Sequence, residues 1–88
     1  MSEIVIGRAD VEQRVQDIVA LVLQVSTATA STAARDVTAE WDSLKHVELM
    51  FTVEQAFDVE FTGKEMADAQ STDALVEVVI AAVIRAKG

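Results

Sequence analysis

Residues 41–61 read WDSLKHVELMFTVEQAFDVEF. The segment opens on an Asp–Ser pair and turns apolar at Leu44. Asp and Ser commonly start helices, because their side-chain oxygens accept from backbone N–H groups that the first turn leaves unpaired. Behind them Lys45, Glu48, Thr52 and Gln55 recur at helical spacing, which predicts a helix from Ser43 or Leu44 to about Phe57. Leu44, Val47, Leu49, Met50, Phe51, Val53 and Phe57 cover most of the remaining circumference. That is more apolar surface than one buried face needs. Either this helix is central to a bundle, or part of its apolar surface awaits a partner. The following FDVEF, residues 57–61, alternates like a strand but has nothing to pair with and reads as an extended connector.

Upstream, Val11, Val15, Ile18, Val22 and Val25 form an alternating four-and-three stripe, the mark of an amphipathic helix over about 10–25. Asp10 is placed to cap it and Gln13 to complete a capping box. Residues 26–40, STATASTAARDVTAE, break the pattern. Ser and Thr compete for backbone hydrogen bonds and Ala offers little to bury, so a long mobile loop is expected, with a helical turn near residues 33–36. An alanine-rich stretch of this kind can also form a short helix. Downstream, Thr62-Gly63-Lys64-Glu65 is a capping box for a short helix to about Ala69. Ser71 and Thr72 offer N-caps for a last helix to about Ala86, with Leu75, Val76, Val79, Val83 and Ile84 facing inward. The expected fold is therefore all-α: one domain over 1–88, a four-helix bundle of three longer helices and a short third one.

A chain of 88 residues has room for one small core, and its 51% apolar content suffices to fill it. Fifteen acids against seven bases give a net charge of −8. Such a surface repels phosphate backbones and anionic lipid, which disfavours nucleic acid and membrane insertion, and it favours basic partner proteins. Plain solubility is the simpler reading of the same charge. Residues 1–13 lack the basic flank and apolar run of an export signal, and 78–84 are too few to cross a bilayer. With no cysteine, a cytoplasmic location is expected.

The inventory for catalysis is thin. His46 is the single histidine, there is no glycine-rich phosphate loop, and no segment has a calcium-loop pattern. Ser43 and His46 lie three apart, yet a nucleophilic dyad also needs an oxyanion hole and a group that orients the base. His46 reads as a solvated surface residue. No catalytic or metal-binding residue is expected.

The stretch from Trp41 to Phe61 resembles the acyl carrier protein family, in which the serine of a D-S-L motif carries 4′-phosphopantetheine. The similarity runs along almost the whole chain: VEQRVQDIVALVLQV resembles the family's first helix, Glu54, Phe57 and Phe61 match the E-x-x-F-x-x-x-F/I ending of its second, and short third and apolar fourth helices follow. The resemblance implies that Ser43 is the attachment serine, flanked by Asp42 and Leu44, and that a phosphopantetheinyl transferase modifies it from coenzyme A. It implies a non-enzymatic, monomeric carrier of acyl thioesters. Asp42, Glu48 and Glu54 would meet basic patches on acyl-loading and synthase partners, Leu44, Val47 and Phe51 would touch them, and Leu49, Met50, Val53 and Phe57 would face inward. A cleft between the second and third helices could shelter a short acyl chain.

Several residues depart from the family's housekeeping members. Ala39-Glu40-Trp41 stands where a glycine usually precedes the aspartate, Lys45 and His46 replace acids after the motif, and Gln55 replaces another. W-D-S-L-x-H is more similar to stand-alone carriers of specialised pathways. Reversed charge beside the serine weakens recognition by partners selected for acid there. Trp41 reads as an anchor for the loop's end, or as a wall for the arm or a partner contact. Ala69 and Thr72 are small for the family, which implies a wider cleft or a mobile third helix. A peptidyl or aminoacyl carrier, and a non-carrier helical adaptor using the acidic and apolar second-helix surface, are the other readings of these residues.

Overall fold

The computed structural model describes residues 7–87. It is all-helical, with α1 (Arg8–Leu23), α2 (Thr27–Ser31), α3 (Ser43–Phe57), α4 (Gly63–Asp68) and α5 (Thr72–Lys87). Among the described residues there are thus five helices where four were expected. No strand occurs among the described residues; Ala34 and Ser71 form a lone antiparallel bridge. The reading of residues 1–6 as part of a non-exported start lies outside the described residues. No described helix is long and apolar enough to cross a membrane.

α1 packs against α5, α2 and α3. It begins two residues earlier than the periodicity suggests, with Gly7 rather than Asp10 at the N-cap and no side-chain cap. Arg8 supports the early start by pairing with Glu12 one turn on (2.9 Å) and with Glu77 of α5 (2.6 Å). Gln13 donates to Asp17 (2.9 Å) instead of closing a capping box. Val11, Val15 and Val22 are buried as expected, but Val19 and Leu23 are buried too, while Ile18 and Val25 pack only at the core's edge.

The largest difference from expectation is in residues 26–40. Ser26 caps α2 by accepting from the Thr29 amide (3.1 Å), and the alanines dismissed as offering little to bury are the reason the segment packs. Ala30 and Ala33 are buried against the bundle, where a larger side chain would hold the backbones apart. The Thr72 hydroxyl donates to Ala30 O (2.6 Å). The Thr72 amide donates to Ala33 O (3.0 Å), and the Arg35 amide to Gln70 O (2.9 Å). These bonds clasp the α2–α3 connection to the α4–α5 connection, so the segment is an ordered layer and not an open loop. Ser71, whose hydroxyl accepts from the Ala74 amide (3.0 Å), caps α5; Thr72 is turned inward instead.

α3 and α4 start as their sequences indicate. Asp42 Oδ1 accepts from the Lys45 amide (2.9 Å), and both bonds of the Thr62–Glu65 capping box are present. α4 ends at Asp68. In α5 Leu75, Val76 and Val79 are buried and Val83 partly so, but Ile84 is 65% exposed and Val78 and Ala82 take the inward places.

Candidate functional site

Ser43 is the first residue of α3 and its side chain is exposed. As the first two helical residues, Ser43 and Leu44 have amides with no intrahelical acceptor, and the helix dipole places partial positive charge there. Asp42 meets part of that demand as the cap. The Ser43 hydroxyl faces Arg35, whose Nη2 lies 3.3 Å from Oγ. Both residues line an open groove with Asp36, Thr38, Trp41 and Gln70.

Beside this groove lies an apolar cleft of about 340 Å³, walled by Val47, Met50 and Phe51 of α3 and Met66 and Ala67 of α4. Its volume is at the lower end of ligand pockets, which run from about 300 to 1,000 Å³. Arg35 and Gln70 border both cleft and groove. The cleft exists because α4 packs on α5 and leaves a gap toward α3, spanned at one end by His46. Ala69 and Thr72 are buried elsewhere and do not line it, so their small size does not set the width of the cleft.

His46 is not a solvated surface residue. Its Nδ1 accepts from the buried Trp41 indole N–H (3.1 Å), and its Nε2 lies 2.8 Å from Met66 O. Because the indole can only donate, Nδ1 must carry a lone pair and Nε2 the proton, which gives Met66 O its donor. The rings stack with centroids 6.2 Å apart. Trp41, 2% exposed, is therefore an anchor for the end of the α2–α3 connection. Both imidazole nitrogens are engaged away from Ser43.

Along α3, Leu49, Met50 and Val53 are buried and Phe57 packs at the core's edge, under the Arg14 guanidinium (4.9 Å to the ring centroid). Leu44, Val47 and Phe51 are 77%, 53% and 59% exposed. Between the two readings of the apolar surplus, the structure decides for a helix with one face inward and an apolar strip in solvent. Lys45 pairs with Glu48 at 3.5 Å, which neutralises part of the acid next to Ser43. Glu54 is half-buried and turned toward the connector, where Oε2 accepts from the Phe61 amide (2.7 Å). That bond gives the Glu54–Phe57–Phe61 cadence a structural basis: the acid pins the chain so that Phe61 enters the core.

Ser43, Leu44, Lys45, Val47, Glu48 and Phe51 thus lie between the start and the middle of α3, with Asp42 as its cap, and Glu54 stands apart from them. Sequence reading missed Arg35, Met66 and Gln70. Arg35 had one visible signal, as the sole basic residue between Arg14 and Lys45. No protein-family model and no curated protein sequence matches the chain.

Proposed function

We propose that the chain is an acyl carrier protein: Ser43 is the attachment point for 4′-phosphopantetheine, and α3 is the surface offered to partner enzymes. The observation that carries this reading is the conjunction at the start of α3. An exposed seryl hydroxyl at a helix N-terminus adjoins an exposed apolar strip of Leu44, Val47 and Phe51, the last two of which also wall an apolar cleft. The residues fit the group. The unpaired Ser43 and Leu44 amides and the Arg35 guanidinium favour a phosphate on Oγ, and Val47, Met50, Phe51, Met66 and Ala67 offer an apolar surface to cargo. When attached, the group supplies a terminal thiol that holds acyl cargo as a thioester, chemistry absent from a chain with no cysteine.

The protein's own part is placement and recognition. Asp42 fixes the first turn of α3 and so the direction of the Ser43 side chain. Leu44, Val47 and Phe51 give a transferase or synthase an apolar strip to cover, and Asp42 and Glu48 give its basic patch a charge to meet. The Lys45–Glu48 pair lowers that charge, which supports a specialised rather than a housekeeping fatty-acid pathway.

The test is intact-mass measurement after incubation with coenzyme A and a broad-specificity phosphopantetheinyl transferase. The expected result is a gain of one phosphopantetheine mass that Ser43→Ala abolishes. Folded wild-type protein left unmodified by several transferases refutes the carrier reading and leaves the adaptor. For the pathway, efficient loading of unaltered protein by fatty-acid-synthesis enzymes, with no gain in Lys45→Glu, refutes the specialised assignment.

A further inference from the structure

We infer that Arg35 is the positioning residue for the phosphate carried by Ser43, and that through this contact it biases the attached arm toward the α3–α4 cleft. The inference rests on the carrier reading and adds to it a residue outside the D-S-L motif.

Arg35 is presented from a fixed backbone. Its amide is bonded to Gln70 O, the residue before it bridges to Ser71, and Ala33 O accepts from the Thr72 amide. A guanidinium held this way loses less freedom on gripping an anion than one on a free loop.

Among the basic residues whose side chains are described, Arg8 to Arg85, the pairing of charges sets the same side chain apart. Among the described residues Arg8, Lys45, Lys64 and Arg85 each pair with a carboxylate. Arg14 lies over Phe57 and donates to Ala56 O. Among the described residues Arg35 makes no ion pair, and its guanidinium donates one long bond of 3.3 Å to the neutral Ser43 hydroxyl, in a chain with fifteen acids. Asp36 and Asp42 line the same groove, and neither forms an ion pair with it. A guanidinium has five donors arranged to match a phosphate's oxygens, so most of its capacity here is unspent. The acceptor of its side-chain hydrogen bond is the oxygen that would become the phosphate ester.

Position supplies the second half. Arg35 borders both the groove that holds Ser43 and the cleft walled by Val47, Phe51 and Met66. A phosphate gripped from that side is drawn toward the cleft and away from the exposed Leu44 side of α3.

The experiment compares wild type, Arg35→Lys and Arg35→Gln, each loaded with unacylated phosphopantetheine to completion as judged by intact mass, with circular dichroism to verify folding. The readouts are the ³¹P chemical shift and nuclear Overhauser contacts between arm protons and the Val47 and Met66 methyl groups. In wild type the expected population of arm–cleft contact exceeds that of Arg35→Gln by about two- to fivefold, the range of an exposed charge pair. Arg35→Lys should lie between, since it keeps the charge and loses the fork. Raising salt toward about 1 M, where screening shortens to about 3 Å, should bring wild type toward the Gln variant. The salt series needs no substitution, so it stands even where a variant folds poorly. Loaded wild type and Arg35→Gln with the same ³¹P shift, the same contacts and no salt response overturn the role of Arg35 alone. Failure of Ser43 to accept the group in any of the three proteins overturns the carrier reading itself.

Discussion

Replacing Thr72 by valine tests whether the clasp holds the α2–α3 connection against the bundle. The two side chains have nearly the same shape, so the change swaps one hydroxyl for a methyl at a position 1% exposed. It removes the 2.6 Å bond to Ala30 O, an acceptor that also takes a longer bond from the Ala33 amide (3.3 Å). A buried hydrogen bond contributes about 0.5–1.5 kcal/mol net, and a less satisfied carbonyl adds to the loss, so the expected cost is about 1–2 kcal/mol. A domain of this length has roughly 4–13 kcal/mol in total, at about 0.05–0.15 kcal/mol per residue. With a urea slope near 1 kcal/mol/M, the midpoint should fall by about 1–2 M at unchanged slope. Thr72→Ser is the control. It keeps the donor and loses one methyl, at about 1 kcal/mol, so global stability alone does not separate the two. Amide hydrogen exchange does. Arg35 N–H, bonded to Gln70 O within the clasp, should exchange about fivefold or more faster in the Val variant than in the Ser variant, because local opening carries its own free energy. Urea midpoints within 0.3 M of wild type for Thr72→Val, with Arg35 exchange unchanged, would show that the segment is held by alanine packing alone.

Glu54→Ala should cost about 1–2 kcal/mol in urea unfolding through the orphaned Phe61 amide, whereas Glu54→Gln, which keeps an acceptor, should cost less than half of that; no loss in either would make Glu54 a purely external residue. Glu65 is held below the usual carboxylate range by its hydrogen bonds to Arg85 and then to the Thr62 amide. A depressed folded value means its contribution is full above the ordinary glutamate range and lost as pH falls through the folded value. Glu65→Gln should therefore flatten the acid limb of a stability–pH profile, and an unchanged limb counts against the pairing. Gln24 adopts a left-handed φ of 60° at the end of α1, so Gln24→Gly should raise stability by up to about 1 kcal/mol. Asp58→Gly, at φ 56°, should gain less because aspartate tolerates that region better; equal gains in thermal melts would refute the ranking.

What the sequence disclosed, and what it concealed, follows the range of the forces involved. The starts of α3 and α4 were legible because Asp42–Lys45 and Thr62–Glu65 are bonds across three residues. In residues 26–40 the short helix was foreseen only as an alternative to a loop, because the bonds that hold the segment come from Thr72 and Gln70, more than thirty positions away along the chain. The same holds for the site. Ser43 stood out through its local setting, but Arg35 acquires its meaning only when folding brings it to that hydroxyl. His46 was taken as solvated because its partner Met66 lies a helix away. Whether Leu44, Val47 and Phe51 were core or surface depended on where α4 docked, and periodicity along α3 holds no information about that.

The chain of contacts from Trp41 through His46 to Met66 gives the molecule a built-in optical probe. Trp41 is the sole tryptophan, it is buried, and its indole proton is committed to the imidazole that also holds the α4 backbone at the cleft's end. Anything that parts α4 from α3 must disturb that imidazole, and with it the polarity around the indole. Emission wavelength and quantum yield should therefore track the opening of the cleft in unlabelled protein. Parting of α4 from α3 would be visible as a change of colour from a ring that does not itself line the cleft.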